Sequence, residues 1–77
     1  MSANILINIE PQKDYSNENI YAIHCTKTNE CQVIINGIVF PFRSFVQGAV
    51  YYINIETINF DSNKAGFIGY KKNNLYS

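Results

Sequence analysis

Residues 31–42 restrict the possible folds of this chain more than any other segment, because two apolar runs there flank Asn36-Gly37. Both central residues of a two-residue type I′ hairpin turn need positive φ, which Asn and Gly adopt most easily. The predicted cross-strand partners are Ile35 with Ile38, Val33 with Phe40, and Cys31 with Phe42. Side chains alternate along a strand, so these six share one face of the hairpin. A shift of one residue would expose them all, and the turn and the apolar pattern therefore predict the same register.

The other apolar residues also favour strands. They are mainly Ile, Val, Phe and Tyr, with leucine only at Leu6 and Leu75. Branched and aromatic side chains suit a pleated surface and lose rotamer freedom in helices. A length of 77 residues with 47% hydrophobic content is sufficient for one small core. We predict a single all-β domain over residues 1–77, an antiparallel β-sandwich or partly open barrel of about six strands.

Periodicity divides the chain into a strand, a loop, a core and a tail. Alternation predicts an N-terminal strand over 3–9, and a polar loop over 10–19 follows, with Tyr15 as its anchor in the core. A compact β core is predicted over 20–72. Residues 73–77 form a tail that we expect to fray unless a partner holds it.

Within the core, strands are predicted over 20–25, 49–60 and 65–71 in addition to the two hairpin strands. Residues 26–30 read as a hairpin loop, and Pro41 places the second hairpin strand at a sheet edge or a bulge. In the connection over 43–48, we expect Phe45 and Val46 to point inward and Gly48 to turn the chain. The apolar phase breaks near Glu56-Thr57, which predicts a bulge or a strand that changes sheets.

Two glycines fall in the last predicted strand. Gly66 and Gly69 lie within 65–71, where most positions carry larger side chains. Glycine inside a strand marks a bend or a close approach of another group to the backbone. We expect one or the other at both positions.

His24, Cys25 and Cys31 are the residues that most resemble metal ligands. Structural zinc sites normally close with four Cys or His ligands, and only these three side chains of those types are present. His24 and Cys25 are also neighbours on a predicted strand, so they point to opposite faces. We expect no metal and reduced thiols, as in a chain made in the cytosol. A Cys25–Cys31 bridge across a hairpin remains geometrically open and would close only a short loop.

The residues offer no constellation for catalysis. A nucleophile needs a base and an orienting group, and the chain has one histidine and six scattered carboxylates. There is no Gly-rich phosphate loop. No signal peptide or apolar run long enough to span a bilayer is evident. We expect no enzyme activity, no cofactor, no small-molecule substrate and no membrane partner.

The balanced charge of the chain makes a nucleic-acid partner an unfavoured prediction. Six basic and six acidic residues give a net charge of +0, whereas phosphate binding usually requires a basic excess. Some basic and aromatic residues could still form a face like that of an OB barrel, on which bases stack. The alternative is a set of half-buried tyrosines with lysines that protect a sheet end. These residues are Arg43, Tyr51, Tyr52, Lys64, Tyr70, Lys71 and Lys72.

Tyrosine is the residue type that best marks a protein interface here, because it combines a large apolar ring with a polar tip. The chain contains six tyrosines. We predict that interface residues come from the tyrosines and the one arginine. The candidates are Tyr15, Arg43, Tyr52, Tyr70 and Tyr76.

The order of strands and turns over residues 20–70 resembles that of very small all-β virion proteins of tailed bacteriophages. That group includes capsid-associated and spike-base proteins. Its members have a hairpin, a turn with Phe and a small residue before Gly, a long strand and a closing apolar strand. The matching positions are Asn36-Gly37, Phe45, Gly48 and Phe67-Ile68.

The resemblance implies a structural role. A virion protein of this kind would be an auxiliary or decoration protein, bound in many copies to the capsid surface with the major capsid protein as partner. It would be made in the host cytoplasm and reside in the virion. A tail or spike-base component is the nearest alternative. An OB-like nucleic-acid binder and a phage inhibitor of a host enzyme are alternatives from other classes.

Overall fold

Strands and turns account for all the regular structure in the computed structural model, which describes residues 4–72. β-branched residues predominate in three of the short strands, Val33–Ile35, Ile38–Phe40 and Thr57–Asn59, as their stiff side chains favour. The strands are β1 (Asn4–Asn8), β2 (Lys13–Asp14), β3 (Ile20–Lys27), β4 (Val33–Ile35), β5 (Ile38–Phe40), β6 (Val50–Tyr51), β7 (Thr57–Asn59) and β8 (Gly66–Lys72).

The strands form two antiparallel sheets that enclose one core. The first sheet has the order β1-β8-β3-β6 and the second has the order β2-β7-β4-β5. This arrangement confirms the predicted all-β fold and is that of a small β-sandwich. Residues 4–72 form eight strands rather than about six, because β2 forms within the predicted polar loop and the predicted strand 49–60 is divided.

The Asn36-Gly37 hairpin has the predicted turn, and the predicted register is confirmed for two of its three pairs. The third prediction, Cys31 with Phe42, is wrong, because the ladder ends at Val33 and Phe40. The φ angles are 52° at Asn36 and 81° at Gly37, and Val33 pairs with Phe40 and Ile35 with Ile38. The expected burial of the whole apolar face is wrong at the outer strand. β5 is the edge of the second sheet, as Pro41 predicts, so Ile38 remains 62% exposed.

Two predicted connections are corrected by the sheet order. The chain leaves β6 in the first sheet and enters β7 in the second, so 49–60 is not one strand. The predicted change of sheets near Glu56-Thr57 is confirmed, with Ile55 bridging to Ile20 at the crossing. Residues 26–30 are not a hairpin loop, because β3 and β4 belong to different sheets and the segment passes between them.

The N-terminal strand and the loop after it behave largely as predicted. β1 pairs with β8 at the edge of the first sheet, and Ile9 is buried beyond its end. Ile5, on the same face, is 40% exposed. Tyr15 anchors the loop in the core, as predicted, and its hydroxyl accepts a hydrogen bond of 2.8 Å from the Glu10 amide.

Phe45 lies at the centre of the core between the two sheets. Its ring centroid is 5.2 Å from that of Phe40, 4.9 Å from Tyr51 and 5.4 Å from Phe67. The inward prediction is confirmed for Phe45 and wrong for Val46, which is 60% exposed on the loop while Phe45 occupies the core.

Both glycines of β8 lie against neighbouring side chains, which confirms the close approach. A Cβ at Gly69 would lie 2.7 Å from Ile9 Cδ1, and one at Gly66 would lie 2.5 Å from Thr26 Oγ1. A larger residue at either position would displace its neighbour.

Candidate functional site

Residues 41–48 connect the two sheets and are held by a buried side chain. Asn29 is fully buried, and its amide nitrogen donates to the carbonyls of Cys31 (2.7 Å) and Pro41 (3.1 Å). Its side-chain oxygen accepts from the Phe45 amide at 2.9 Å, and its carbonyl accepts from the Arg43 amide at 2.9 Å. One residue thus fixes the first half of the loop.

The second half of the loop is bonded to β3 and β6. The Val46 amide donates to the Tyr51 hydroxyl at 2.8 Å, and the Gln47 amide donates to Thr28 Oγ1 at 3.3 Å. Gly48 has a φ of 89°, which favours glycine, and its amide donates to the Cys25 carbonyl at 2.8 Å. These hydrogen bonds, all donated by backbone amides of the loop, hold its second half in one conformation.

Two large apolar side chains and the one arginine of this loop are among its exposed residues. Phe42 is 54% exposed and Val46 is 60% exposed. The Arg43 guanidinium lies 4.9 Å from the centre of the Phe42 ring and binds both carboxylate oxygens of Glu30, at 3.0 and 3.3 Å. We call Phe42, Arg43 and Val46 the loop patch.

The loop patch has the properties of a protein-binding surface. Aromatic residues and arginine contribute most of the binding energy at many interfaces. An exposed ion pair such as Arg43–Glu30 adds little to stability, but it orients the guanidinium in advance. A surface that is already ordered loses less entropy when a partner binds.

The predicted interface residues lie in several different places. Arg43 belongs to the loop patch, and Tyr52 is 80% exposed just after β6. Tyr70 is half-buried on β8, where its ring centroid lies 6.3 Å from that of Tyr21. Tyr15 is only 1% exposed, so burial in the core removes it from any interface. Tyr76 lies outside the described residues.

Sequence reasoning missed Phe42 and Val46. Both read as inward-facing, Phe42 by hairpin register and Val46 by its apolar character. The available signal was Pro41, which ends β5 and releases Phe42 from the hairpin face. For Val46, the signal was alternation with the larger Phe45.

The cysteines are free thiols in this structure. Cys25 is buried on β3 and its thiol donates to the Lys27 carbonyl at 3.0 Å. Burial raises the pKa of the Cys25 thiol above its ordinary value. Cys31 is half-buried and follows the segment that crosses to the second sheet. Among residues 4–72, no group of three His, Cys, Asp or Glu side chains could hold a metal ion.

Two cations of the predicted basic aromatic face form ion pairs with carboxylates. Arg43 pairs with Glu30, and Lys71 Nζ lies 3.1 Å from Glu18 Oε1. Lys72 lines a separate open groove of about 640 Å³ that also includes Asn36 and Glu56. The Asn36 amide oxygen there already accepts from the Glu56 and Thr57 amides.

The loop patch is therefore the best-defined candidate site among residues 4–72. It offers two apolar side chains beside a guanidinium whose charge is compensated. Within residues 4–72, no helix is long and apolar enough to span a membrane. Comparison of the chain with protein-family models, curated proteins and solved structures found no match in any of the three.

Proposed function

We propose that this chain is a structural protein of a bacteriophage virion, bound in many copies to the capsid surface through the loop patch. Its partner in this proposal is the major capsid protein. The observation that supports the proposal is the rigid 41–48 loop, which exposes Phe42 and Val46 beside an oriented Arg43. The virion location is supported by the resemblance of residues 20–70 to small phage virion proteins.

The energetics of the loop patch suit attachment to a repeating lattice. Complete burial of an apolar side chain the size of Phe42 or Val46 contributes about 1.5–3 kcal/mol. A patch of this size gives modest affinity on its own. Copies that are joined to each other would bind adjacent lattice sites together, which raises their avidity without any new contact at the patch.

Charge balance suits close spacing of identical copies. The six basic and six acidic residues cancel, so neighbouring copies on a capsid would not repel one another through net charge. Two of the ion pairs, Arg43–Glu30 and Lys71–Glu18, further compensate charge locally. A dense surface array is therefore electrostatically permitted.

The first experiment measures whether the protein is present in purified virions of the phage that encodes it, and in how many copies. Quantitative mass spectrometry of particles separated on a density gradient gives the copy number. We expect on the order of hundreds of copies, as for a protein that follows capsid symmetry. On the order of a dozen copies would instead place it in the tail or at a vertex.

The loop patch is tested by adding purified protein to particles assembled without it. The variant Phe42→Ser with Val46→Ser should reduce binding to particles at least about tenfold, since both apolar contacts are lost. Val39→Ser is the matched control, because Val39 is 53% exposed on β5 and should leave binding unchanged. Equal losses in both variants would contradict a site at the loop patch.

Absence from virions would reject the proposal. Salt-dependent retention on single-stranded DNA would then support a nucleic-acid binder. A stoichiometric complex with a host enzyme would support an inhibitor.

A further inference from the structure

Within residues 4–72, the outer side of β1 pairs with no other strand, and this edge lacks the features that protect the other sheet edges. β2 has two residues, both charged, and β6 also has only two residues. β5 has three residues and is followed by Pro41. β1 has five residues, none of them charged or proline. Long uncharged edges are the ones that pair with another chain.

The backbone groups on the free side of β1 can be identified from the ladder with β8. The Ile9 amide donates to the Phe67 carbonyl at 3.0 Å, so the two residues form a hydrogen-bonded pair. Such pairs alternate along an antiparallel ladder, which directs the backbone groups of Ile5 and Ile7 toward β8 as well. Those of Asn4, Leu6 and Asn8 point away from β8, toward the free edge.

The sequence of β1 reads the same in both directions, Asn-Ile-Leu-Ile-Asn, with Leu6 at its centre. A two-fold axis through an antiparallel strand pair brings each position opposite its mirror position. With the axis at Leu6, Leu6 meets Leu6 of the second copy, Ile5 meets Ile7, and Asn4 meets Asn8. Leu6 is also the central residue of the three that direct backbone groups outward.

We propose that two copies of this chain pair through β1, antiparallel and centred on Leu6, to form one eight-stranded sheet. The occupant of the edge is a second copy because symmetry of sequence and symmetry of backbone groups coincide at the same residue. In this register, every outward donor and acceptor of Asn4, Leu6 and Asn8 meets a partner. The pairing does not depend on the proposed virion role.

The exposed side chains of β1 fit this pairing. Leu6 is 62% exposed and Ile5 is 40% exposed, although both lie in a regular strand. Pairing places Leu6 beside its copy on the outer face of the sheet, and Ile5 beside Ile7 on the inner face. No like charges face each other across the axis, because the strand carries none.

Complementary charges at Leu6 test both the edge and the register. Leu6→Lys or Leu6→Glu places like charges opposite each other in a hydrogen-bonded pair, which has a Cα separation of about 5.5 Å. We expect the wild type to reach twice the 8.8 kDa chain mass in sedimentation equilibrium as concentration rises. Each variant alone should dimerise at least about tenfold more weakly, and an equimolar mixture should regain the dimer.

Val39→Lys is the matched control, because Val39 is similarly exposed on the edge strand of the second sheet. It should leave dimerisation unchanged, and circular dichroism should show that all variants fold. A wild type that stays at 8.8 kDa at every concentration would overturn the proposal. So would dimeric Leu6 variants, a mixture that remains monomeric, or loss of the dimer in Val39→Lys.

Hydrogen exchange of the wild type tests the pairing without any substitution. The amides of Leu6 and Asn8 face the free edge, whereas the amide of Ile7 donates within the sheet. Raising the protein concentration should slow exchange at Leu6 and Asn8 at least about tenfold and leave Ile7 little changed. Exchange at Leu6 that does not depend on concentration would contradict the dimer.

Discussion

Asn29 shows how one buried polar residue can determine the shape of a surface. An Asn between Thr28 and Glu30 reads as a solvated loop residue, since Asn is usually exposed and favours turns. The structure buries it completely, with partners at Cys31, Pro41 and Phe45. Pro41 and Phe45 are distant from Asn29 in sequence, and all three partners are backbone groups. The local residue pattern therefore could not reveal these hydrogen bonds.

Asn29→Ala should destabilise the protein by about 2–4 kcal/mol, because a buried amide and two buried or half-buried carbonyls lose their partner. Urea denaturation followed by circular dichroism measures the change in the free energy of unfolding. Asn63→Ala is the control, since Asn63 is exposed in a turn and should change stability by less than about 0.5 kcal/mol. Equal effects of the two substitutions would show that Asn29 does not hold the loop.

Other single residues show where sequence reasoning succeeds. Tyr15 was predicted as the anchor of a polar loop because it is the one large apolar side chain there, and it is buried. The same logic failed for Val46, where an apolar residue adjoins the larger Phe45 and only one of them can face inward. Apolar character predicts burial only when neighbouring positions do not compete.

Among the elements, the hairpin was predicted in detail because its information is local. Turn chemistry and alternation are both contained in residues 31–42, and the register followed. For residues 49–60, the sequence indicates only that the apolar alternation breaks near Glu56-Thr57. Which sheet each half joins depends on β3 and β4, and the strand pattern of 49–60 contains no information about those partners.

Asn36 has a second role that the turn alone does not require. Its side chain accepts from the amides of Glu56 (2.8 Å) and Thr57 (3.1 Å) and donates to the Asn54 carbonyl at 2.7 Å. The hairpin tip is thereby joined to the start of β7. These side-chain bonds add to the backbone pairing of β4 with β7.

Asn36→Gly keeps the positive φ of the turn but removes these bonds, and should cost about 1–3 kcal/mol of unfolding free energy in urea. Asn19→Gly is the matched control. Asn19 also has a positive φ, 58°, and its side chain makes no hydrogen bond within residues 4–72, so that change should remain within about 0.5 kcal/mol. A neutral Asn36→Gly would show that only the turn conformation matters.

At the scale of the whole molecule, the chain changes sheets at every connection except the β4–β5 hairpin. Neighbours in space are therefore distant in sequence, as with β1 and β8. The two-sheet class could be predicted from composition and turns. The strand order could not, because long-range pairing is decided by the packing of the complete core.

This topology predicts slow folding for so small a protein. Refolding from urea should take milliseconds to seconds, as in other domains dominated by non-local strand pairs. Stopped-flow circular dichroism at low protein concentration would measure the rate without assembly. Refolding complete within microseconds would show that the strand order does not limit the rate.

The central position of β8 also has a consequence for synthesis. β8 joins β1 to β3, yet it is the last of the eight strands to emerge from the ribosome. Before it emerges, β1 has no neighbour in the first sheet, and Ile9 and Phe45 have no Phe67 to pack with. We therefore expect a translation product that stops before Gly66 not to reach the native two-sheet structure, because the first sheet lacks its central strand.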